Sequence, residues 1–127
     1  GTAMLLALSE SLGKLAQSGY KPTRTIKIAH WDAEEQGVIA STEWVEQFRD
    51  ELAEKGVAYF NADGAASGRN FGAASSPSLK SLAIESTKVI PYPDSAKTVY
   101  EHWLGKRAAK EPPLGNLGGG SDHIAFY

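Results

Sequence analysis

Residues 25–37, TIKIAHWDAEEQG, decide how the chain is expected to fold. Their first part alternates β-branched residues with small or polar ones, which predicts a strand over residues 25–31. Three carboxylates follow within four positions, at Asp32, Glu34 and Glu35. Grouped negative charges raise the free energy of folding unless water solvates them or a cation neutralises them. This stretch therefore indicates either a solvated turn before a helix or a site for a positive ligand.

Helical patterns lie on both sides of this strand. Leu5, Leu8, Leu12 and Leu15 form one stripe of an amphipathic helix that is expected to stop at Gly19. The second helix, STEWVEQFRDELAEKG, occupies residues 41–56, with Ser41 or Thr42 as its N-cap and Gly56 at its end. Further helices are predicted over residues 77–89 and 98–107.

A second strand follows the second helix and gives the pattern its geometry. Residues 57–62 are apolar enough for a strand buried on both faces, and Asp63 follows them directly. A strand, a helix and a strand in succession make parallel neighbours, which end at the same edge of a sheet. Ligands of open α/β sheets bind outside that edge. Glu34, Glu35 and Asp63 are therefore candidates for one site, and a divalent metal would offset their mutual repulsion.

Composition limits the possible functions of the chain. At 127 residues with 42% hydrophobic content, it is one globular domain at most. The net charge of -2 gives no electrostatic case for a nucleic-acid partner. No apolar run approaches the length of a membrane span, so no membrane segment is predicted. The sequence has no cysteine, so any metal would need oxygen and imidazole ligands.

The order of several motifs resembles one enzyme family. WDAEEQG, STEW and NAD occur in this order in the first half of the chain, and YEHW and LGGGSDHIAFY follow in the second half. This text resembles the zinc-dependent M28 metallopeptidases, in the branch of glutamate carboxypeptidase II and the transferrin receptor, over essentially all 127 residues. The resemblance implies a three-layer α/β/α sandwich with a mostly parallel central sheet, present here as a partial domain. We expect residues 1–127 to be the central and C-terminal part of the peptidase domain, truncated at both ends.

The resemblance also implies roles for individual residues. Glu34 would be the general base, Glu35 a ligand of one zinc ion and Asp63 a ligand of a second. Water activated by the two zinc ions would attack the peptide carbonyl while Glu34 moves the proton. The remaining ligands of the family lie outside this stretch, so the isolated chain is expected to bind zinc weakly and to lack peptidase activity.

Four further residues are weaker candidates for a functional role, and each also has an alternative interpretation. Asp122 matches a family aspartate beside the active site, or it is a helix N-cap. Ser121 replaces an asparagine that contacts substrate in the mammalian enzyme, which leaves that contact in doubt. Glu43 and Glu46 match a structural calcium site of some relatives, although we favour a solvated helix face because the partner residues belong to another domain. The tryptophans Trp31, Trp44 and Trp103 are interpreted as packing residues, and the histidines His30, His102 and His123 are not taken as ligands.

The substrate and partners are less well defined by the sequence. The loop after the NAD motif lacks an arginine where the mammalian enzymes recognise acidic side chains, so only a peptide substrate is carried over, for either an aminopeptidase or a carboxypeptidase. A non-catalytic module like the transferrin receptor is the main alternative function, and a glutaminyl cyclase-like acyl transfer is a third. The resemblance implies a parent protein that can form homodimers, and a secreted, periplasmic or membrane-anchored location is compatible with it.

Overall fold

A computed structural model describes residues 1–105 and 110–127 of the chain. Two compact units are present: Gly1–Ser67 together with Gly119–Tyr127 form the first, and Gly68–Gly118 form the second. No helix within the described ranges is long and apolar enough to cross a membrane. The helices are α1 (Thr2–Gln17), α2 (Ile39–Gln47), α3 (Arg49–Lys55), α4 (Lys80–Val89) and α5 (Val99–Leu104), with 3₁₀ helices at Pro77–Leu79 and Asp122–Phe126.

Helix α1 ends as its sequence predicts. The N–H group of Tyr20 donates to the carbonyl of Leu15 at 3.2 Å, and the N–H group of Gly19 donates to that of Ala16 at 3.0 Å. Gly19 has a φ of +95°, a conformation that costs glycine little because it has no Cβ. This pair of hydrogen bonds is the Schellman arrangement, and it confirms Gly19 as the stop of the first helix.

The second predicted helix is confirmed as a helical stretch, but its start is wrong. Helix α2 begins at Ile39, and the residue before it, Val38, caps it without a side-chain hydrogen bond. Ser41 and Thr42 lie inside the first turn, where the hydroxyl of Thr42 donates back to the carbonyl of Val38 at 2.7 Å. The stretch is also broken at Phe48, whose φ of -107° and ψ of 19° separate α2 from α3.

The two predicted strands form no ladder in the structure. Among the described residues, no backbone hydrogen bond joins residues 25–31 to residues 57–62. The two segments nevertheless meet through side chains, because the indole N–H of Trp31 donates to the hydroxyl of Tyr59 at 3.1 Å. Parallel strands normally lie in sheets covered on both faces, and a two-stranded ribbon is marginal in water. The α/β/α sandwich with a mostly parallel sheet stays a prediction.

An aromatic cluster packs the first unit together. Phe126 stacks on Tyr59 with ring centroids 4.0 Å apart, and it lies 6.3 Å from the rings of both Trp31 and Trp44. Trp44 also contacts Phe48 at 5.0 Å. These contacts confirm that Trp31 and Trp44 are packing residues. They also hold the C-terminal 3₁₀ helix against the segments that carry the acidic residues.

The second unit contains the buried apolar residues of the described part of the chain, namely Ile84, Val99 and Trp103. Helices α4 and α5 confirm the two later helical predictions, and the burial of Trp103 confirms its packing role. The predicted continuation of α5 to Arg107 lies outside the described residues, since Gly105 follows the last helical residue and the description resumes at Lys110.

Candidate active site

The loop that joins Trp31 to α2 has an unusual backbone. Ala33 and Val38 have φ values of +56° and +60°, and Gly37 has one of +109°. The carbonyl of Glu34 holds the loop by accepting hydrogen bonds from the N–H groups of Gly37 at 3.0 Å and Val38 at 2.8 Å. Positive φ is uncommon for residues other than glycine and is a genuine outlier for a β-branched valine. Such strained residues cluster at functional sites, which favours a ligand site over a solvated turn for this loop.

Three other carboxylates act electrostatically on Glu34 in this loop. Glu34 is half-buried, while Glu35 is exposed. Partial loss of solvent raises the pKa of Glu34 above its usual value, and the negative charges of Glu35, Asp63 and Asp122 raise it further. Glu35, Asp63 and Asp122 are thus near enough to influence Glu34, while the catalytic role of Glu34 and the ligand roles of Glu35 and Asp63 stay predictions.

Ser121, in the C-terminal segment of the chain, holds the side chain of Asp63 by a hydrogen bond. The hydroxyl of Ser121 donates to Oδ2 of Asp63 at 3.1 Å, and the side-chain amide of Asn61 donates to the Ser121 hydroxyl at 2.9 Å. Ser121 is buried, at 7% exposure, while Asn61 and Asp63 are exposed, so these hydrogen bonds are shielded from water on the serine side. Sequence reasoning missed Asn61, although its place in the NAD motif was the available signal.

Asp122 is not the N-cap considered from the sequence. Ser121 occupies the cap position of the C-terminal 3₁₀ helix, without a side-chain capping bond, and Asp122 is the first residue inside the helix. Oδ1 of Asp122 instead accepts a hydrogen bond of 2.7 Å from the hydroxyl of Ser41. Ser41 is fully buried, at 0% exposure, so a residue expected only to cap α2 is part of the site.

The fit of a metal ion to these residues is partial. Carboxylate oxygens suit hard or borderline divalent ions, and the pKa of Glu34 is raised first by partial burial and then by the negative charges of its neighbours. However, the described residues contain no group of three acidic, histidine or cysteine side chains arranged to hold an ion. Glu35 and Asp63 can thus each provide one ligand, and any further ligands would have to come from elsewhere. Glu43 and Glu46 are exposed on α2, and their calcium role stays a prediction.

Comparison with known proteins places the chain in a family. The sequence model of peptidase family M28 matches residues 1–127. The chain belongs to peptidase family M28. Within this family, the probable glutamate carboxypeptidase LAMP1 of Arabidopsis thaliana is 44% identical over 128 residues, which cover 99% of this chain and 18% of that protein.

Two further relatives differ in the kind of peptidase that they are named for. The probable glutamate carboxypeptidase of Arthroderma benhamiae is 40% identical over 99% of this chain and 17% of its own length. Aminopeptidase NAALADL1 of Mus musculus is 39% identical over 99% of this chain and 18% of its own length. These matches confirm the glutamate carboxypeptidase-like branch of M28. The chain spans less than a fifth of the length of the curated relatives it matches.

Proposed function

We propose that the chain is a section of a zinc-dependent exopeptidase domain with the α/β/α sandwich fold. The longer protein that would contain it is called the parent protein below. Family M28 membership and the gathering of Glu34, Glu35, Asp63 and Asp122 in one unit support this proposal. The single observation that carries it is the placement of three other carboxylates, Glu35, Asp63 and Asp122, within electrostatic reach of Glu34 in a chain of family M28. A non-catalytic module would have no need for this costly arrangement.

Glu34 is the general base in this proposal. A general base works best when its pKa is brought toward the working pH, because it must both accept a proton and release it again. Burial and neighbouring charge raise the pKa of Glu34 in that direction. The backbone around it is fixed, since its carbonyl holds the turn to Val38 at 2.8 Å. Glu34 would take the proton of the attacking water and pass it to the leaving amine.

Glu35 and Asp63 are proposed as ligands of two zinc ions, one ligand for each ion. Bound zinc acts as a Lewis acid toward the scissile carbonyl and lowers the pKa of water. The other ligands would come from the rest of the parent protein. For that reason the isolated 127-residue chain is expected to bind zinc weakly and to hydrolyse no peptide.

The substrate class of the proposal is a small peptide. The relatives' names include both glutamate carboxypeptidases and an aminopeptidase, so the end from which cleavage starts is an outcome of the assay. Dimerisation of the parent protein and a structural calcium ion at Glu43 and Glu46 stay predictions, which size determination and calcium titration of the parent protein would check.

The test is hydrolysis of blocked and unblocked dipeptides by the parent protein. We expect Glu34→Gln to lower kcat by about 10²- to 10⁴-fold, the usual contribution of a general base, with zinc content unchanged. Glu54→Gln, an exposed position on α3, is the matched control and should retain full activity. Hydrolysis that survives Glu34→Gln would refute the role of Glu34. A zinc-loaded parent protein that cleaves no peptide would instead favour the non-catalytic module.

A further inference from the structure

A continuous hydrogen-bond network leads from the aromatic cluster to Asp63. The indole N–H of Trp31 donates to the hydroxyl of Tyr59 at 3.1 Å, and this hydroxyl donates to Oδ1 of Asn61 at 3.0 Å. The amide nitrogen of Asn61 donates to the hydroxyl of Ser121 at 2.9 Å, and Ser121 donates to Oδ2 of Asp63 at 3.1 Å. The four hydrogen bonds connect residues from three separate segments of the first unit.

The direction of this network follows from both of its ends. The carboxylate of Asp63 can only accept, so the single proton of the Ser121 hydroxyl points to Asp63, and Ser121 accepts from the side-chain amide of Asn61. The carbonyl oxygen of that amide therefore faces Tyr59 and accepts the proton of its hydroxyl. At the other end an indole N–H can only donate, so Trp31 donates to the Tyr59 hydroxyl.

Packing holds Trp31, Tyr59 and Ser121 in place, while Asn61 and Asp63 are exposed. Phe126 stacks on Tyr59 with an interplanar angle of 14°, and it also contacts Trp31 at 6.3 Å. Tyr59 is half-buried and Ser121 is buried. Side chains fixed by neighbouring rings lose little further entropy when they form hydrogen bonds, so the network can hold one geometry.

We propose that Ser121 is a positioning residue for Asp63, and that Trp31, Tyr59 and Asn61 set the direction of its hydroxyl. The inference rests on the proposed function, in which Asp63 is a metal ligand. Groups that donate hydrogen bonds to a ligating carboxylate fix its orientation, and their removal typically weakens metal binding by about 10- to 100-fold.

The first measurement is zinc affinity of the parent protein, determined by competition with a chelator. Ser121→Ala is expected to weaken binding at one zinc site by about 10- to 100-fold, and Ser121→Thr, which keeps the hydroxyl, should restore most of it. Ser67→Ala is the matched control, because Ser67 is exposed and donates to the carbonyl of Gly64 rather than to a carboxylate. Wild-type affinity in Ser121→Ala would overturn the inference.

The second measurement needs no metal. In ¹⁵N-labelled metal-free protein, Tyr59→Phe should shift the indole N–H signal of Trp31 and speed hydrogen exchange of the Asn61 side-chain amide, and Ser121→Ala should speed the same exchange. Unchanged Asn61 exchange in both variants would contradict the one-way network.

Asp63→Asn separates failure of this inference from failure of the proposed function. If Asp63→Asn leaves zinc binding intact, Asp63 is no ligand and both proposals fall. If Asp63→Asn removes one zinc ion while Ser121→Ala changes nothing, the positioning role alone is refuted.

Discussion

The hydroxyl of Ser41 donates a hydrogen bond of 2.7 Å to Oδ1 of Asp122, although 81 residues separate the two in sequence. The bond ties the first turn of α2 to the C-terminal 3₁₀ helix, and its donor is fully buried. A hydrogen bond to an ionised group is among the stronger ones in proteins. The same contact fixes one of the three carboxylates that act on Glu34.

Loss of this hydroxyl should therefore destabilise the fold. We expect Ser41→Ala to lower the free energy of unfolding by about 1.5–3 kcal/mol, because Asp122 would lose a charge-assisted hydrogen bond. Urea denaturation followed by circular dichroism measures this change. Ser9→Ala is the control, since Ser9 is exposed and should shift the free energy by less than about 0.5 kcal/mol. Equal effects of the two substitutions would contradict a special role for Ser41.

The strained backbone of the acidic loop predicts that an Ala→Gly substitution there affects stability differently from one in a helix. Glycine usually destabilises, and Ala53→Gly in the exposed interior of α3 should cost about 1 kcal/mol. Ala33 has a φ of +56°, where alanine itself is strained by about 1 kcal/mol or more. Ala33→Gly should therefore be neutral or stabilising. Thermal denaturation of both variants compares them, and equal losses would show that the loop carries no strain.

Tyr59 should ionise later than an ordinary tyrosine. Burial raises the pKa of its phenol above 10.0, the hydrogen bond from Trp31 opposes this, and the charge of Asp122 adds to the rise. Because the neutral phenol is favoured in the folded state, its contribution to stability is present below pH 10.0 and is lost as the pH rises through the raised pKa.

The measurement is phenolate absorbance during alkaline titration. The difference between wild type and Tyr59→Phe gives the curve of Tyr59, and Tyr20→Phe removes an exposed phenol as the matched control. A midpoint for Tyr59 at or below pH 10.0 would contradict its burial against Phe126.

The hydrogen bonds at the N-terminus of α5 predict a loss of stability at acid pH. The carboxylate of Glu101 accepts hydrogen bonds from the backbone N–H of Thr98 at 2.7 Å and from its hydroxyl at 3.2 Å, and these lower the pKa of Glu101. The stability that this lowered pKa provides is fully present above pH 4.5 and disappears as the pH falls through the lowered pKa. Glu101→Gln should remove this decrease from a plot of the free energy of unfolding against pH. Thr98→Ala should cost about 0.5–2 kcal/mol at neutral pH through loss of the N-cap.

Local signals predicted the helices well. Gly19 and Gly56 end helices because their positions follow an amphipathic stretch, and Thr98 begins one because Glu101 completes a capping box. The cap of α2 could not be predicted in the same way. Val38 adopts a left-handed conformation that its residue type disfavours, so the helix starts two residues before Ser41.

Longer-range features were only partly accessible from sequence. The proximity of Glu34 and Asp63 was inferred from parallel strands; in the structure the charge of Asp63 acts on Glu34, but no strand ladder is present among the described residues. The hydrogen bond from Ser121 to Asp63 spans 58 residues and depends on the aromatic packing of Phe126. No periodicity or local motif encodes such a contact, so sequence alone left Ser121 with an uncertain role.

The first unit is discontinuous, because residues 119–127 complete it after the whole of the second unit has been made. Ribosomes add about 5–20 residues per second. Ser121 therefore emerges roughly 3–12 s after Asp63, given the 58 residues between them. During that interval the nascent chain carries its acidic residues without the serine that later orients one of them. Folding of this unit during synthesis is consequently completed only after residues 119–127 have been made.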